Sequence, residues 1–244
     1  SFNLPYFLVL DDNKDMTISP RIFTENELLL QSEFRQKNKN SNHIADFGQF
    51  ISEKKDDKGH FFYNFSKIID SNNFEEVQLN FVLQQVTNDT YLKTFQINSP
   101  LITNENNLTN HLKLDFYNNN TNINTNLVVN EDLSKLDSDR YEYIPSFSLT
   151  KKFGEGEILN DKYSWYSNGF IKNYDTNITE KDLLNKFSYN SGTNFLNNGI
   201  IIENNFLLKN LITDAKNSEN YKSNLTSKII PIFERNYSLP MQKN

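Results

Sequence analysis

Few residues in this sequence have the types and spacing that a chemical site requires. Asp11, Asn13 and Asp15 match the first ligand positions of an EF-hand calcium loop. That loop needs glycine at its sixth position and a bidentate acid at its twelfth, where this chain has Met16 and Ile22. The pattern therefore predicts a polar hairpin turn and no calcium site.

The histidines and paired carboxylates do not form a recognisable site either. His43, His60 and His111 are far apart, and none has a second histidine at metal-ligand spacing, so we expect solvated strand residues. Adjacent acids such as Asp56 and Asp57 fall in a predicted charged loop, which indicates solvated charge rather than an acid–base dyad. The chain has no cysteine, which excludes thiolate ligands and disulfides. We predict no enzymatic activity, no cofactor and no metal.

The composition indicates a folded protein that is rich in aromatic residues. Of 244 residues, 36% are hydrophobic and 14% are aromatic, which is too much buriable surface for a disordered chain. The net charge of -6 and the lack of a basic stripe argue against nucleic-acid binding. The mean hydropathy of -0.67 and the lack of a long apolar run argue against membrane-spanning helices.

The stretch from Asp15 to Gln36 shows the pattern on which the fold prediction depends. Two segments alternate apolar and polar residues around a short polar break, Thr24 to Glu27. Successive side chains of a strand point to opposite faces, so each segment has one apolar and one polar face. The stretch therefore predicts an antiparallel hairpin.

Similar segments recur along the chain and predict roughly ten strands of about ten residues each. Ordinary strands average ~5–6 residues, whereas ~9–11 alternating residues cross a bilayer as a tilted strand. The sequence therefore predicts an all-β fold, part of an antiparallel transmembrane β-barrel. Tyr91 to Ile97 is a less regular strand of this series, and Thr179 to Asp182, which also resembles a helix-capping box, is assigned to a loop leading into a strand.

The two parities of these strands predict which side chains face lipid and which face a watery lumen. Polar residues would be costly in a closed core, but they cost little beside water. The predicted lipid-facing residues are Met16, Ile18, Ile22, Leu28, Leu30, Phe34, Val77, Leu79, Phe81, Leu112, Leu114 and Phe116. The predicted lumen-facing residues are Thr17, Arg21, Glu33, Arg35, Gln78, Asn80, Lys113 and Asp115. We expect Glu33 and Arg35 to pair with charges on neighbouring strands and help fix the register.

Several stretches resemble the outer-membrane LPS-assembly protein family (LptD, also called OstA or Imp). The most specific match is an ordered set of motifs at Leu4 to Phe7, Asp15 to Arg21 and Leu28 to Arg35. Val86 to Lys93 is similar to the SDDTYL segment of alphaproteobacterial members. Ile230 to Pro240 is similar to a proline-containing strand of the family. The resemblance is scattered over most of the chain.

The resemblance implies a part in lipopolysaccharide transport and assembly at the Gram-negative outer membrane. In this family a very large barrel receives lipopolysaccharide from a periplasmic bridge, holds an LptE-like lipoprotein plug in its lumen, and releases lipopolysaccharide sideways between its first and last strands. Pro5 matches a proline that weakens pairing near this lateral gate, since proline lacks an N–H donor. An ordinary strand end is the other interpretation of Pro5. The implied partners are lipopolysaccharide, the plug, the bridge and outer-membrane lipid, without nucleic acid.

The chain also departs from the family pattern. Residues 1–244 match an N-terminal part of the barrel domain, without the periplasmic jelly-roll domain, the first strand, the C-terminal strands or the family's cysteines, so we expect a fragment with two open sheet edges. Two alternatives remain. One is another outer-membrane barrel, such as a porin or a plugged nutrient transporter. The other is a soluble or surface-anchored all-β adhesin whose apolar face packs onto a second sheet.

Overall fold

One antiparallel sheet contains all 15 strands of the described chain. The computed structural model describes residues 1–24, 27–136, 138–153, 161–173, 178–196, 199–216 and 224–238. The strands are β1 (Phe2–Asn3), β2 (Tyr6–Asp11), β3 (Lys14–Ile22), β4 (Leu28–Lys37), β5 (Ser41–Ile51), β6 (Lys58–Ile69), β7 (Glu76–Val86), β8 (Asn107–Asn118), β9 (Thr121–Asp132), β10 (Tyr141–Phe153), β11 (Lys162–Asn173), β12 (Thr179–Asn190), β13 (Asn194–Phe195), β14 (Ile201–Lys216) and β15 (Asn224–Ser238). The helical elements are α1 (Tyr91–Phe95) and a 3₁₀ helix, Ser138–Arg140. Within the described ranges, no helix is long and apolar enough to cross a bilayer.

The strands follow one another across the sheet as an antiparallel meander. β1 and β2 both pair with β3 and form one edge strand, which is interrupted at Leu4 and Pro5. β12 and β13 both pair with β14, and β15 pairs with β14 to form the second edge. The two edges do not pair with each other in the described part of the chain, so the sheet is open.

The all-β antiparallel fold predicted from the alternating pattern is confirmed, although the sheet has 15 strands rather than the roughly ten predicted. Strands β4 to β12 contain 10 to 13 residues each, as their long alternating segments predicted. The assignment of Thr179 to Asp182 to a loop is wrong, because these residues form the start of β12 and pair with β11 and β14; the helical alternative is excluded as well. Glu25 and Asn26 of the predicted polar break lie outside the described residues.

The predicted strand at Tyr91 to Ile97 is wrong, because Tyr91–Phe95 forms α1. The chain leaves the sheet after Val86 and returns only at Asn107. Tyr91, Leu92 and Phe95 are buried, and the spacing of Tyr91 and Phe95 places them on one side of a helical turn. Packing against the sheet therefore decides the local structure here.

The strand register sorts the side chains onto two faces of the sheet. Residues paired across antiparallel strands point to the same face. Thr17 pairs with Glu33, which pairs with Asp46, and this row belongs to what we call the polar face. Met16 pairs with Phe34, and this row belongs to what we call the apolar face.

Most of the buried core lies on the polar face. It joins side chains of β4, β5 and β6 to the connection between β7 and β8, residues 87–106, which we call the inward segment. The members of this core are Leu29, Phe50, Phe62, Tyr91, Leu92, Phe95, Ile97, Leu108 and Leu133. The ring centroids of Phe50 and Phe95 are 4.4 Å apart. The inward segment thus folds over the polar face and packs against it.

Candidate functional site

The residues predicted to face a lumen share one face of the sheet. The polar face carries Thr17, Arg21, Glu33, Arg35, Gln78, Asn80, Lys113 and Asp115. The register places Gln78 opposite Asp115 and Asn80 opposite Lys113. The predicted lipid-facing residues all lie on the apolar face. The polar set extends from β3 to β8, so it forms a polar surface rather than a compact pocket.

Ion pairs link neighbouring residues of this polar surface. Arg35 Nε lies 2.8 Å from Asp15 Oδ1 on the adjacent strand, and the two residues are also register partners. Arg35 Nε lies 3.6 Å from Glu33 Oε1 on its own strand. Arg35 therefore makes the expected cross-strand pair, whereas Glu33 pairs within β4. Both pairs are partly exposed, so their main effect is on register rather than on stability.

Amide and hydroxyl side chains continue the polar face across β8 to β11. Asn124 donates from Nδ2 to Asp115 Oδ1 at 2.7 Å, and Ser148 donates from its hydroxyl to Asn124 Oδ1 at 3.1 Å. Glu142 accepts a hydrogen bond from Asn130 at 2.9 Å and lies 2.9 Å from Lys172 Nζ. These polar groups satisfy one another, which permits a continuous hydrophilic surface on the sheet.

The inward segment is held on the polar face by hydrogen bonds to its backbone. Arg21 donates to the Phe95 carbonyl oxygen. Gln31 donates to the Asn98 carbonyl oxygen at 2.9 Å, and Gln84 donates to the Leu101 carbonyl oxygen at 2.5 Å. Because these donors lie on three different strands, the segment covers a wide part of the polar face near one end of the sheet.

A buried network of Asp46, His60 and Tyr91 anchors the inward segment to the strands. His60 Nδ1 lies 3.1 Å from the Tyr91 hydroxyl, and His60 Nε2 lies 3.2 Å from Asp46 Oδ1. The second contact is close but lacks hydrogen-bond alignment, so His60 Nε2 has no hydrogen-bond partner among the described residues. Gln31 Nε2 donates to both carboxylate oxygens of Asp46, at 3.1 and 3.0 Å. Burial raises the pKa of Tyr91 well above its usual range, which keeps its hydroxyl protonated.

This network corrects the expectation that His60 is solvated. His60 is 3% exposed, and Asp46 is 0% exposed. Gly48, the register partner of His60, makes room for it. A Cβ atom at Gly48 would lie 2.3 Å from His60 Cε1 and 2.8 Å from the Tyr91 hydroxyl. The three histidines do remain separate, and no cluster of metal-ligating residues is found in the described ranges.

Pro5 lies in the break between β1 and β2, along the edge of the sheet beside β3. The Leu4 N–H donates to the Pro20 carbonyl oxygen at 3.2 Å. Alternate residues of a strand direct their N–H groups to opposite sides, so position 5 faces away from β3 and towards the open edge. Pro5 thus removes a donor from the open edge. Because Pro20 has no N–H, the reciprocal hydrogen bond from residue 20 to the Leu4 carbonyl oxygen is missing. Pro20, rather than Pro5, causes this loss.

Pro5 also belongs to a cavity on the polar face beside this edge. The cavity has a volume of about 260 Å³. Its lining includes Thr17, Arg21 and Glu33 of the predicted polar set, together with Asn98 of the inward segment. The edge strand, the polar surface and the inward segment therefore meet at one place.

Each edge of the sheet carries some apolar side chains on the polar face as well as on the apolar face. Phe7 and Val9 of β2 lie on the polar face and are 54% and 73% exposed. Leu207, Ile230 and Ile232 lie on the polar face of β14 and β15. The alternating apolar side chains of these strands continue on the opposite face. Apolar surface thus extends from one face to the other at each edge.

The apolar face is uncovered and carries aromatic side chains near the ends of its strands. Tyr163 and Trp165 lie within the first four residues of β11, and the Tyr163 and Tyr189 ring centroids are 5.0 Å apart. Trp165 and Phe187 are paired across strands and are 42% and 37% exposed. No second sheet packs on this face in the part of the chain that the structure describes, so the sandwich expected of an adhesin is absent there. Folded proteins rarely leave an apolar surface of this extent exposed to water.

Sequence reasoning missed the Asp46–His60–Tyr91 network, because its members are distant in the chain and only the register and the inward fold bring them together. The comparisons with known proteins provide no family for this site: no protein-family model matches the chain, and neither does any curated protein.

Proposed function

We propose that this chain is part of an outer-membrane β-barrel that transports lipopolysaccharide into the outer leaflet. The apolar face supports a lipid environment, because its side chains are exposed along long strands. Aromatic residues such as Trp165 and Tyr163 near the strand ends fit the aromatic girdles of membrane barrels. The polar face would border a watery lumen.

The observation that carries the transport proposal is the apolar surface on both faces of the edge strands. A lipid that leaves a lumen sideways has to move its acyl chains past a sheet edge. Phe7 and Val9 at one edge, and Ile230 and Ile232 at the other, supply apolar contact on the inner side of such a path. Pro5 reduces the number of backbone N–H donors that could pair this edge with another strand.

The proposed partners are lipopolysaccharide, an LptE-like lipoprotein plug, a periplasmic transport bridge and membrane lipid. The inward segment occupies the polar face over the early strands. A plug would therefore contact mainly the polar face of β10 to β15, which the inward segment leaves uncovered.

A photo-cross-linking amino acid at Phe7 in the full-length protein tests the transport proposal. We expect cross-links to lipopolysaccharide from Phe7, an outer-membrane location, and heat-modifiable migration on gels. Leu114, on the apolar face of a central strand, is the matched control and should cross-link to membrane lipid without lipopolysaccharide transport intermediates. A water-soluble pool that stays folded without detergent would overturn the proposal.

A second candidate is a porin or plugged transporter. The inward segment favours it, since a connection folded over the polar face would narrow a pore. A porin should admit small hydrophilic solutes into liposomes and give no lipopolysaccharide cross-link at Phe7. These two measurements separate the two candidates.

A further inference from the structure

Two lysines on the polar face lie directly opposite each other. The register pairs Lys186 of β12 with Lys209 of β14. Lys228 of β15, the partner of Leu211, is a diagonal neighbour of Lys209 on the same face. Like charges placed directly opposite in a sheet are destabilising, so this arrangement needs a reason other than stability.

The neighbours of these lysines are mainly apolar, with Ser188 and Thr226 as polar exceptions, and supply no counter-charge. Their neighbours on the polar face include Leu184, Leu207, Leu211, Ile230 and Tyr166. In the described part of the chain, none of Lys186, Lys209 and Lys228 forms an ion pair. The acids Asp182 and Glu234 lie on the same face but four residues along the strands from Lys186 and Ile230, which is about 13 Å.

Two other lysines of the polar face are neutralised. Lys113 Nζ lies 2.9 Å from Asp115, and Lys172 Nζ lies 2.9 Å from Glu142. Lys186 and Lys209 are also half-buried and stand well inside their strands. Lys186 and Lys209 differ from these two lysines, because they face each other and have no carboxylate partner in the described part of the chain.

We propose that Lys186 and Lys209, assisted by Lys228, bind the phosphate of a phosphorylated lipid on the polar face. Ammonium groups donate charge-assisted hydrogen bonds to phosphate oxygens, and the phosphate in turn relieves their mutual repulsion. Leu207, Ile230 and Ile232 lie beside them and would contact the acyl chains. This assignment rests on the proposed function and places the phosphate contact beside the β15 edge.

The test uses the full-length protein in outer-membrane extract, with p-benzoylphenylalanine at the position of Tyr166. The probes are bis-phosphorylated lipid A, the same lipid without phosphates, and inorganic phosphate. We expect Tyr166 to cross-link the phosphorylated lipid, and the variant K186Q/K209Q to reduce this by roughly tenfold or more. K186R/K209R should retain the cross-link, and K152Q, which removes another lysine of the same face, should not change it.

The outcomes separate a binding role from a structural one. Because removal of a like-charge pair relieves repulsion, K186Q/K209Q should keep its heat-modifiable migration. Equal cross-linking in K186Q/K209Q and the unmodified protein would overturn the proposal, as would equal cross-linking of the lipid without phosphates. If inorganic phosphate suppressed the cross-link at position 166 as strongly as lipid A does, the site would be assigned to the free anion. This result would also overturn the proposal.

A second probe at Phe7 distinguishes this proposal from the proposed function. Lipopolysaccharide cross-links at Phe7 without any at Tyr166 would refute the proposed phosphate site but would still support the transport function. Absence of cross-links at both positions would remove the transport function as well.

Discussion

At the scale of residues, the face on which a side chain lies determines which substitutions are tolerated at its position. Phe81 and Val82 are adjacent and apolar, but Phe81 lies on the apolar face beside Phe65, and Val82 lies on the polar face beside Asn64. Composition alone does not distinguish these two positions. Their surroundings do, since only one of them is proposed to contact lipid.

Substitution of each residue by arginine tests this difference. Phe81→Arg should strongly impair membrane assembly, because a cation on the lipid face near the bilayer midplane costs about 2–4 kcal/mol. Val82→Arg should be tolerated far better, since its side chain would face water. The yield of heat-modifiable protein in outer-membrane extract measures both. Equal yields would refute the assignment of the two faces.

Tyr91 should make the protein sensitive to alkaline pH. Burial raises its pKa in the folded state, so the folded protein retains this proton at pH values where the unfolded chain loses it. The stabilisation is complete below the ordinary tyrosine pKa of about 10 and is lost as the pH rises towards the folded-state pKa. Denaturant titrations at several pH values should show this decline in the free energy of unfolding. In Tyr91→Phe the decline should be smaller, because the contribution of the Tyr91 hydroxyl is absent. An identical decline in both proteins would contradict the buried hydroxyl.

At the scale of elements, the inward segment is a helix-containing connection that depends on space left by a strand glycine. Its anchor, Tyr91, reaches His60 above Gly48. A second interaction ties the same segment to the 3₁₀ helix, where Arg140 Nη2 lies 2.7 Å from Asp89 Oδ1. The hydrogen bond to Asp89 raises the pKa of Arg140, which therefore remains charged.

Gly48→Ala should release the inward segment. The added Cβ atom would collide with both His60 and Tyr91, so the anchor has to move. Trypsin cleavage after Lys93, an exposed residue of α1, should become faster. Gly169→Ala is the matched control, since its Cβ atom would approach Phe147, 2.8 Å away on the apolar face. Similar cleavage rates in Gly48→Ala and the unmodified protein would rule out this anchor.

The edge strand gives a separate test with two prolines. Pro20→Ala should restore an N–H donor towards Leu4 and strengthen the pairing of β1 with β3 by about 0.5–1.5 kcal/mol. Pro5→Ala should leave that pairing nearly unchanged, because its N–H would face the open edge. Hydrogen exchange at the Leu4 amide distinguishes them. Slower exchange in Pro5→Ala than in Pro20→Ala would show that position 5, and not position 20, directs its N–H across this pair of strands.

At the scale of the whole molecule, most of the sheet could be predicted from local alternation. Thr17 and Met16 differ in parity, and parity alone assigns their faces. The inward segment could not be predicted in this way. Tyr91 is buried only because Phe50 and Phe62 of two distant strands meet it, and no local pattern records that contact. The facing lysines also require the register, which the sequence of each strand does not contain.

The inward segment has a consequence for the order in which the protein folds. Its contacts extend back to Arg21, 74 residues from Phe95, and forward to Arg140, 51 residues from Asp89. The inward segment and its contacts therefore need only the first part of the chain to form. These contacts also close shorter loops than any contact between the two edges would. The early strands that carry the inward segment should therefore consolidate first, while β15 joins late. The last strands to form would then be the first to separate, which gives a kinetic basis for an opening at the edge.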